Sequence, residues 1–242
     1  MNIDLFSYTN AGSRELNEDS YGVQNAANKC VAVLCDGLGG HNCGEVASTT
    51  AVKNILEGLT TASEINADKI IEILRIVNEG IIEHQNQKPE FNGMRTTAVG
   101  CVIENNMLQY FNSGDSRFYY FTNGSLYTVS KDHSVSQMSV EMGEMSFSDI
   151  RSDNDRNKLL KVLGNSSNGE VGTAYKPIEI KSGDAFLLCS DGFWEYVLEG
   201  EMEIDLSKSA TAKEWIEFML VRLLLRYTND NDNYTVIGGI IK

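Results

Sequence analysis

At several points the chain sets an acidic residue against the end of an apolar run of strand length. Residues 31–35 run into Asp36-Gly37, and Ala185–Cys189 with Ser190 runs into Asp191-Gly192. Residues 108–113 lead to Gly114-Asp115. Asn231-Asp232-Asn233 precedes Tyr234–Ile241, and Asn17-Glu18-Asp19 precedes Tyr21-Gly22-Val23. Acids at the Gly-rich ends of apolar strands can converge on one rim of a sheet. Two carboxylates ~5 Å apart repel by ~3 kcal/mol at an effective dielectric of ~20, so a cluster of them requires a cation. An all-oxygen donor set selects a hard ion, Mg²⁺ or Mn²⁺, rather than Zn²⁺. A glycine after the aspartate lets a backbone carbonyl approach the ion or its water. Taken singly, each aspartate reads better as a turn residue. Taken as a set, each beside an apolar strand, they point to a site.

Other chemistries are excluded by spacing. The chain holds no G-x-x-x-x-G-K-[ST] loop and no G-x-S-x-G elbow, and no cysteine has an arginine six residues later. His41, His84 and His133 are too few and too scattered for a histidine-based dinuclear centre. Cys30, Cys35, Cys43, Cys101 and Cys189 are an odd set without paired C-x-x-C spacing, which argues against zinc and against a disulfide framework. Four of them sit in or beside apolar runs and read as small buried thiols.

The elements that would position the acids are legible in part. Strands are expected at 31–35, 97–103, 108–111, 118–121, 126–129 and Ala185–Cys189, with Asn123-Gly124 as a hairpin turn. Helices are expected over 44–58, with Val46, Thr50, Lys53 and Leu56 on one face, and over 67–86, with Ile70, Leu74, Val77 and Ile81 together. A third is expected over 211–227, with Trp215, Phe218, Met219 and Leu223 turned to the core. Strands joined by hairpins, with long helices that do not alternate with them, indicate antiparallel sheets flanked by helices.

The 242 residues suffice for one large core, and no linker, repeat or low-complexity tract divides them. A formal net charge of −14 argues against a nucleic-acid partner. No stretch approaches the ~20 apolar residues of a membrane span. The opening Met1-Asn2-Ile3-Asp4 lacks the pattern of a signal peptide, so a cytoplasmic protein without a membrane partner is expected.

At these residues the sequence resembles the metal-dependent protein phosphatases of the PPM family (phosphatase 2C-like), in their compact bacterial form. The resemblance runs in order over nearly the whole chain: Gly12-x-Arg14-x-x-Asn17-Glu18-Asp19-Ser20, Asp36-Gly37-Leu38-Gly39-Gly40-His41, Met94-Arg95-Thr96-Thr97-Ala98, Gly114-Asp115-Ser116-Arg117 and Lys131-Asp132-His133-Ser134. Leu159 to Gly164, Ser190-Asp191-Gly192-Phe193-Trp194 and Asp232-Asn233-Tyr234-Thr235-Val236 complete it. It implies an α+β fold, a four-layer α-β-β-α sandwich of two packed antiparallel sheets, in one catalytic domain over 1–242 with a mobile flap at about 134–157. It implies hydrolysis of phosphoserine and phosphothreonine in proteins by direct attack of a metal-bridging hydroxide. Two tight Mn²⁺ or Mg²⁺ ions are implied, and a third, weaker one.

By the same resemblance Asp36 bridges the two ions and the Gly37 carbonyl binds one of them. Asp191 and Asp232 ligate the first ion, and Asp19, with Glu18, holds metal-bound waters. Asp115 joins Asp191 at the third ion, Arg14 grips the substrate phosphate, and Asn233 supports Asp232. Asp115 also has a plain alternative, a turn residue that caps backbone amides or pairs with Arg117. The implied partners are phosphorylated proteins, targets of a serine/threonine kinase, and a monomer is expected. Two departures stand out. Leu38 replaces the histidine that some family members use as a general acid, and Arg95 replaces the usual glycine, as an exposed substitution in the first instance or else as added positive charge near the site; His41 is expected to be structural. Two other readings remain beside the protein phosphatase: a hydrolase of small phosphoesters, and an inactive relative used for binding. The presence of Asp36, Asp191 and Asp232 together weighs against the last.

Overall fold

The computed structural model describes residues 2–26, 28–39, 43–87, 89–166 and 169–242. In chain order it places β1 (Ile3–Asn10), β2 (Asp19–Ala26), β3 (Lys29–Leu38), α1 (Cys43–Thr61) and α2 (Ala67–Gln87). There follow β4 (Arg95–Thr96), β5 (Ala98–Glu104), β6 (Met107–Ser113), β7 (Arg117–Thr122) and β8 (Ser125–Val129). Next come α3 (Val135–Glu141), a 3-10 helix (Phe147–Ser152), β9 (Thr173–Ala174), β10 (Ile178–Glu179) and β11 (Ala185–Cys189). The chain ends with α4 (Asp191–Trp194), α5 (Glu199–Lys208), α6 (Ala212–Arg226) and β12 (Tyr234–Ile241).

The strands form two antiparallel sheets. One is five-stranded, in the order β1-β12-β11-β7-β8; the other is seven-stranded, with β10-β6-β5-β3-β2 as its main path and β4 and β9 attached to β3 and β6. Side-chain alternation shows how they stack. On β3, Val31, Val33 and Cys35 pack on α1 and α2, while Ala32 and Leu34 meet the other sheet. On β11, Leu187 and Cys189 face α5 and α6, while Phe186 and Leu188 meet Leu34 and Val99 in the central layer. The fold is thus the α-β-β-α sandwich. Because both faces of the central strands are buried, these strands read as continuous apolar runs. All five cysteines are buried.

The expected strands fall inside observed ones, apart from Thr97, which separates β4 from β5. The β7–β8 hairpin turns at Asn123-Gly124 with φ of 52° and 75°, as a two-residue turn with positive φ requires. On α2, Ile70, Leu74, Val77 and Ile81 are buried as expected.

Two helix faces need correcting. The buried stripe of α1 is Ala47, Ser48, Ala51, Val52, Ile55 and Leu59, and Lys53 points to solvent. Small side chains there let the helix lie close on the sheet, and a stripe chosen by bulk misses them. On α6 Ile216 is buried and Phe218 is 44% exposed. β1, α3 and α5 were not foreseen; Ser7, Thr9 and Asn10 make β1 too polar to stand out as a strand. Arg95 is exposed, as expected. Gly40 and His41 lie outside the described residues, so the reading of His41 as structural falls there too.

Candidate active site

Strand register brings the acids together. In the β2–β3 pair Asp19 stands opposite Asp36. β11 pairs with β12 so that Cys189 faces Val236, and Ser190 N–H donates to the Thr235 carbonyl at 3.1 Å. This register sets Asp191, just past β11, beside Asp232, just before β12. Arg14, Glu18, Asp36, Gly37, Asp115, Asp191, Asp232 and Asn233 all line one cavity of about 400 Å³. Asp19 is the exception among the candidates and lies behind it.

Each acid is held by identifiable bonds. The Asp36 N–H donates to Thr97 Oγ1 at 2.9 Å, and its carbonyl accepts from Thr96 Oγ1 at 2.7 Å and from Thr97 N–H at 2.8 Å. Asp19 Oδ2 accepts from Ser190 Oγ at 2.8 Å, while its buried Oδ1 has no partner. Asp191 opens α4, with Gly192 N–H donating to its Oδ1 at 2.6 Å. A Cβ on Gly192 would lie 2.1 Å from the Asn233 carbonyl oxygen, so glycine is what lets the two acid-bearing loops touch. Asp232 Oδ1 accepts from Asn233 N–H at 2.8 Å. Asn233 braces the loop at 11–18: its amide donates to the carbonyls of Ala11 and Leu16, both at 2.9 Å, and its Oδ1 accepts from Glu18 N–H at 2.8 Å.

Three candidates stand differently from a simple ligand picture. The Glu18 carboxylate accepts from the backbone N–H groups of Gly44 and Glu45, so it caps α1. The Arg14 guanidinium pairs with Asp232 Oδ2 at 2.9 Å, with 53% of its side chain exposed. Asp115 is 4% exposed and does not pair with Arg117. Arg117 instead forks onto Asp132 at 2.8 and 2.6 Å. The Asp115 carbonyl accepts from Trp194 Nε1 at 2.9 Å, and the Trp194 ring centre lies 3.5 Å from the Arg117 guanidinium, which fixes that corner of the cavity.

The electrostatics are those of uncompensated anions. Burial, then the charges of Asp19, Asp191, Asp115 and Asp232, raises the Asp36 carboxyl well above the usual carboxylate range. Burial followed by Asp115 does the same to Asp191. Burial pushes Asp115 up to about 7 and Asp19 up to about 6, the latter against hydrogen bonds from Thr235 and Ser190. Arg14 is the only basic side chain among the described lining residues. Among the described residues no three His, Cys, Asp or Glu side chains are drawn together as a finished metal shell. The structure shows an anionic cavity with hard oxygen donors and one orphaned buried carboxylate oxygen, and that donor set fits a divalent cation.

Thr97, Ser190 and Trp194 position the acids and were not singled out. Each lies within the quoted motifs, and Ser190 adjoins its acid, Asp191. Thr97 Oγ1 also bonds Ser116 Oγ at 2.7 Å, tying Asp36 to the loop that carries Asp115.

Known proteins resemble this chain along nearly its full length. The sequence model of the family described as Protein phosphatase 2C matches residues 8–230. The chain is 33% identical over 231 residues to the serine/threonine phosphatase stp of Listeria monocytogenes serotype 4b (strain F2365), covering 93% of this chain and 90% of that protein. The crystal structure of the Mycobacterium tuberculosis serine/threonine phosphatase PstP/Ppp superposes with a TM-score of 0.85 at 27% identity over 99% of both chains. The catalytic domain of PstP in complex with two manganese ions gives a TM-score of 0.82 at 25% identity over 99% of both chains. Motif order, the two-sheet sandwich and similarity along nearly the full length concur: this chain belongs to the protein phosphatase 2C family.

Proposed function

We propose that the protein removes phosphate from phosphoserine and phosphothreonine side chains of other proteins, using divalent cations held by the aspartate cavity. The observation that carries this is the gathering of Asp36, Asp115, Asp191 and Asp232 on one cavity with Arg14 as its basic side chain. Asp36, Asp191, Asp232 and the Gly37 carbonyl would hold two ions, Mn²⁺ or Mg²⁺, with Asp19 orienting their waters. Asp115 and Asp191 would hold a third, weaker one. The two manganese ions of the PstP catalytic domain support the count of tight ions. When bound, such ions lower the pKa of a water and offset charge on the phosphoryl oxygens.

The chain's own residues do the rest. Arg14 swings from Asp232, where its side chain is 53% exposed, to grip the phosphoryl oxygens with charge-assisted bonds. The described lining residues include no serine, cysteine or histidine, which supports direct attack of water on phosphorus. Leu38 puts an apolar side chain where an imidazole would stand, so a water held by Asp115 is the proton source for the leaving oxygen. Residues 1–242 act as one catalytic unit. The flap at about 134–157 borders the cavity at its end, where Asn157 reaches the lining. Among the described residues no helix is long and apolar enough to cross a membrane. A cytoplasmic monomer acting on targets of a serine/threonine kinase completes the proposal.

The test is hydrolysis of a phosphothreonine peptide. Chelator should abolish it and added Mn²⁺ restore it; full activity in excess chelator would refute the metal reading. Asp36→Asn should lower turnover by roughly 10³-fold or more, as loss of a group central to charge stabilisation does. The variant should melt no lower than the metal-free wild type, because it removes one of several mutually repelling charges. A folded Asp36→Asn enzyme with normal turnover would remove Asp36 from the site.

A further inference from the structure

The end of the seven-stranded sheet remote from the aspartates carries a second cavity, of about 540 Å³. It lies between the α1–α2 connection at 62–66, the β5–β6 hairpin and residues 174–177. Its floor includes Val102 and Gln109, which face each other across β5 and β6. Val102 belongs to the core under α1 and α2, so this side of the sheet is apolar and a glutamine there breaks the pattern. Gln109 is only 7% exposed, and its side-chain amide makes no hydrogen bond among the described residues. Neither polar atom of that amide is sealed from solvent, so the amide opens outward and is free to meet a ligand. The cavity is what the amide faces.

The walls define the ligand. Ile65, Met107 and Ala174 supply apolar surface. The lining carries Glu64 and Glu104 against a single lysine, Lys176, a balance that disfavours anions; Glu104 pairs with Lys29 at 3.5 Å. A carboxamide offers a donor and an acceptor side by side, the complement of a lactam edge. The volume falls within the ~300–1,000 Å³ of small-molecule sites. β3 begins here at Lys29, opposite Glu104, and reaches Asp36 at its other end. At ~3.3 Å per residue the two cavities lie on the order of 20 Å apart, so the second is separate from the first. We propose that this cavity binds an uncharged, planar lactam of the size of a nucleobase or its nucleoside, through paired hydrogen bonds to Gln109.

The experiment follows the side-chain amide resonances of Gln109 in the full-length, isotopically labelled protein. The probes are uracil, hypoxanthine, uridine, inosine and their N-methylated counterparts, in which the lactam N–H is blocked. A saturable shift with at least one free base or nucleoside is expected, and comparing the two forms shows which source fits. Affinity should fall by roughly tenfold or more for the matching methylated probe, and by as much in Gln109→Met or in Gln109→Glu, which keeps the size but loses the donor. Hydrolysis of p-nitrophenyl phosphate without added probe should be unchanged in both variants. No saturable shift with any of the four probes at millimolar concentration overturns the proposal. Equal affinity in a folded Gln109 variant, or for the methylated probe, also overturns it.

Discussion

Asp115 is the residue whose role turns most on geometry. Its carboxyl is buried at the cavity, while the arginine two positions on is spoken for by Asp132. An alkoxide leaving group needs a proton and p-nitrophenolate does not. Asp115→Ala should therefore slow phosphopeptide hydrolysis more than p-nitrophenyl phosphate hydrolysis, by roughly a hundredfold, the lower edge of general-acid effects. Equal losses on both substrates would reject proton delivery. His133, nearby, has a structural role that pH can expose. Burial, then the charge of Lys161, lowers its imidazole to about 4. Nδ1 accepts from Gly114 N–H at 3.2 Å, which assigns the proton to Nε2, 2.9 Å from Thr173 Oγ1. The unfolded chain protonates near 6.5. The stabilising contribution of the neutral ring is thus complete above about 6.5 and is lost as pH falls from there to about 4. Denaturant midpoints measured across that window should fall less steeply in His133→Asn than in wild type. At this scale the sequence was informative where an acid follows a buried run, as at Asp36 and Asp191. It was silent where long-range pairing decides, since Arg14 on Asp232 and Ser190 on Asp19 require distant segments to meet.

Between elements, β3 approaches the start of α1 so closely that glycine is required. A Cβ on Gly37 would sit 2.2 Å from the Gly44 carbonyl oxygen and 2.6 Å from the Glu18 carbonyl oxygen. Gly37 N–H donates to that Glu18 carbonyl at 3.1 Å, and Ser48 Oγ donates to it at 2.6 Å. Backbone cannot yield as a side-chain tip can, so Gly37→Ala should cost ~3 kcal/mol or more. That lowers the melting temperature by roughly 6–12 °C in a chain of this size. Gly80, inside α2 with nothing within 4 Å of an added Cβ, provides the contrast: Gly80→Ala should stabilise by ~1 kcal/mol. Paired thermal melts check both. The same contact explains what pattern-reading missed. α1 buries Ala47 and Ala51 because it must lie close on the sheet, whereas α2 packs beside α1 and against β9 and buries Ile, Leu and Val at ordinary helical spacing.

Over the molecule as a whole, the cost of gathering carboxylates is set against the stability of the sandwich. A cation that binds only the folded chain returns that stability by mass action, ~2.7 kcal/mol at a hundredfold excess over its dissociation constant. Mn²⁺ should accordingly raise the melting temperature by roughly 5–10 °C. A midpoint indifferent to the metal would disconnect the cavity from ion binding. The layered fold was legible mainly through the order of its motifs. The strand runs alone did not reveal which side faces which layer, because Val31, Ala32, Val33 and Leu34 are all fully buried. Burial has a further effect at the five cysteines. It raises the thiols of Cys30, Cys35, Cys101 and Cys189, Cys30 to about 11. The Cys43 sulfur is also buried and donates to the Glu90 carbonyl at 2.8 Å. Peroxide oxidises thiolates that it can reach; the thiols of Cys30, Cys35, Cys101 and Cys189 are not ionised at neutral pH, and all five cysteines are buried. Hydrolysis by this fold should therefore survive a peroxide exposure that silences enzymes built on a reactive cysteine, so that phosphorylation marks would still be erased while thiol-based signalling is shut off.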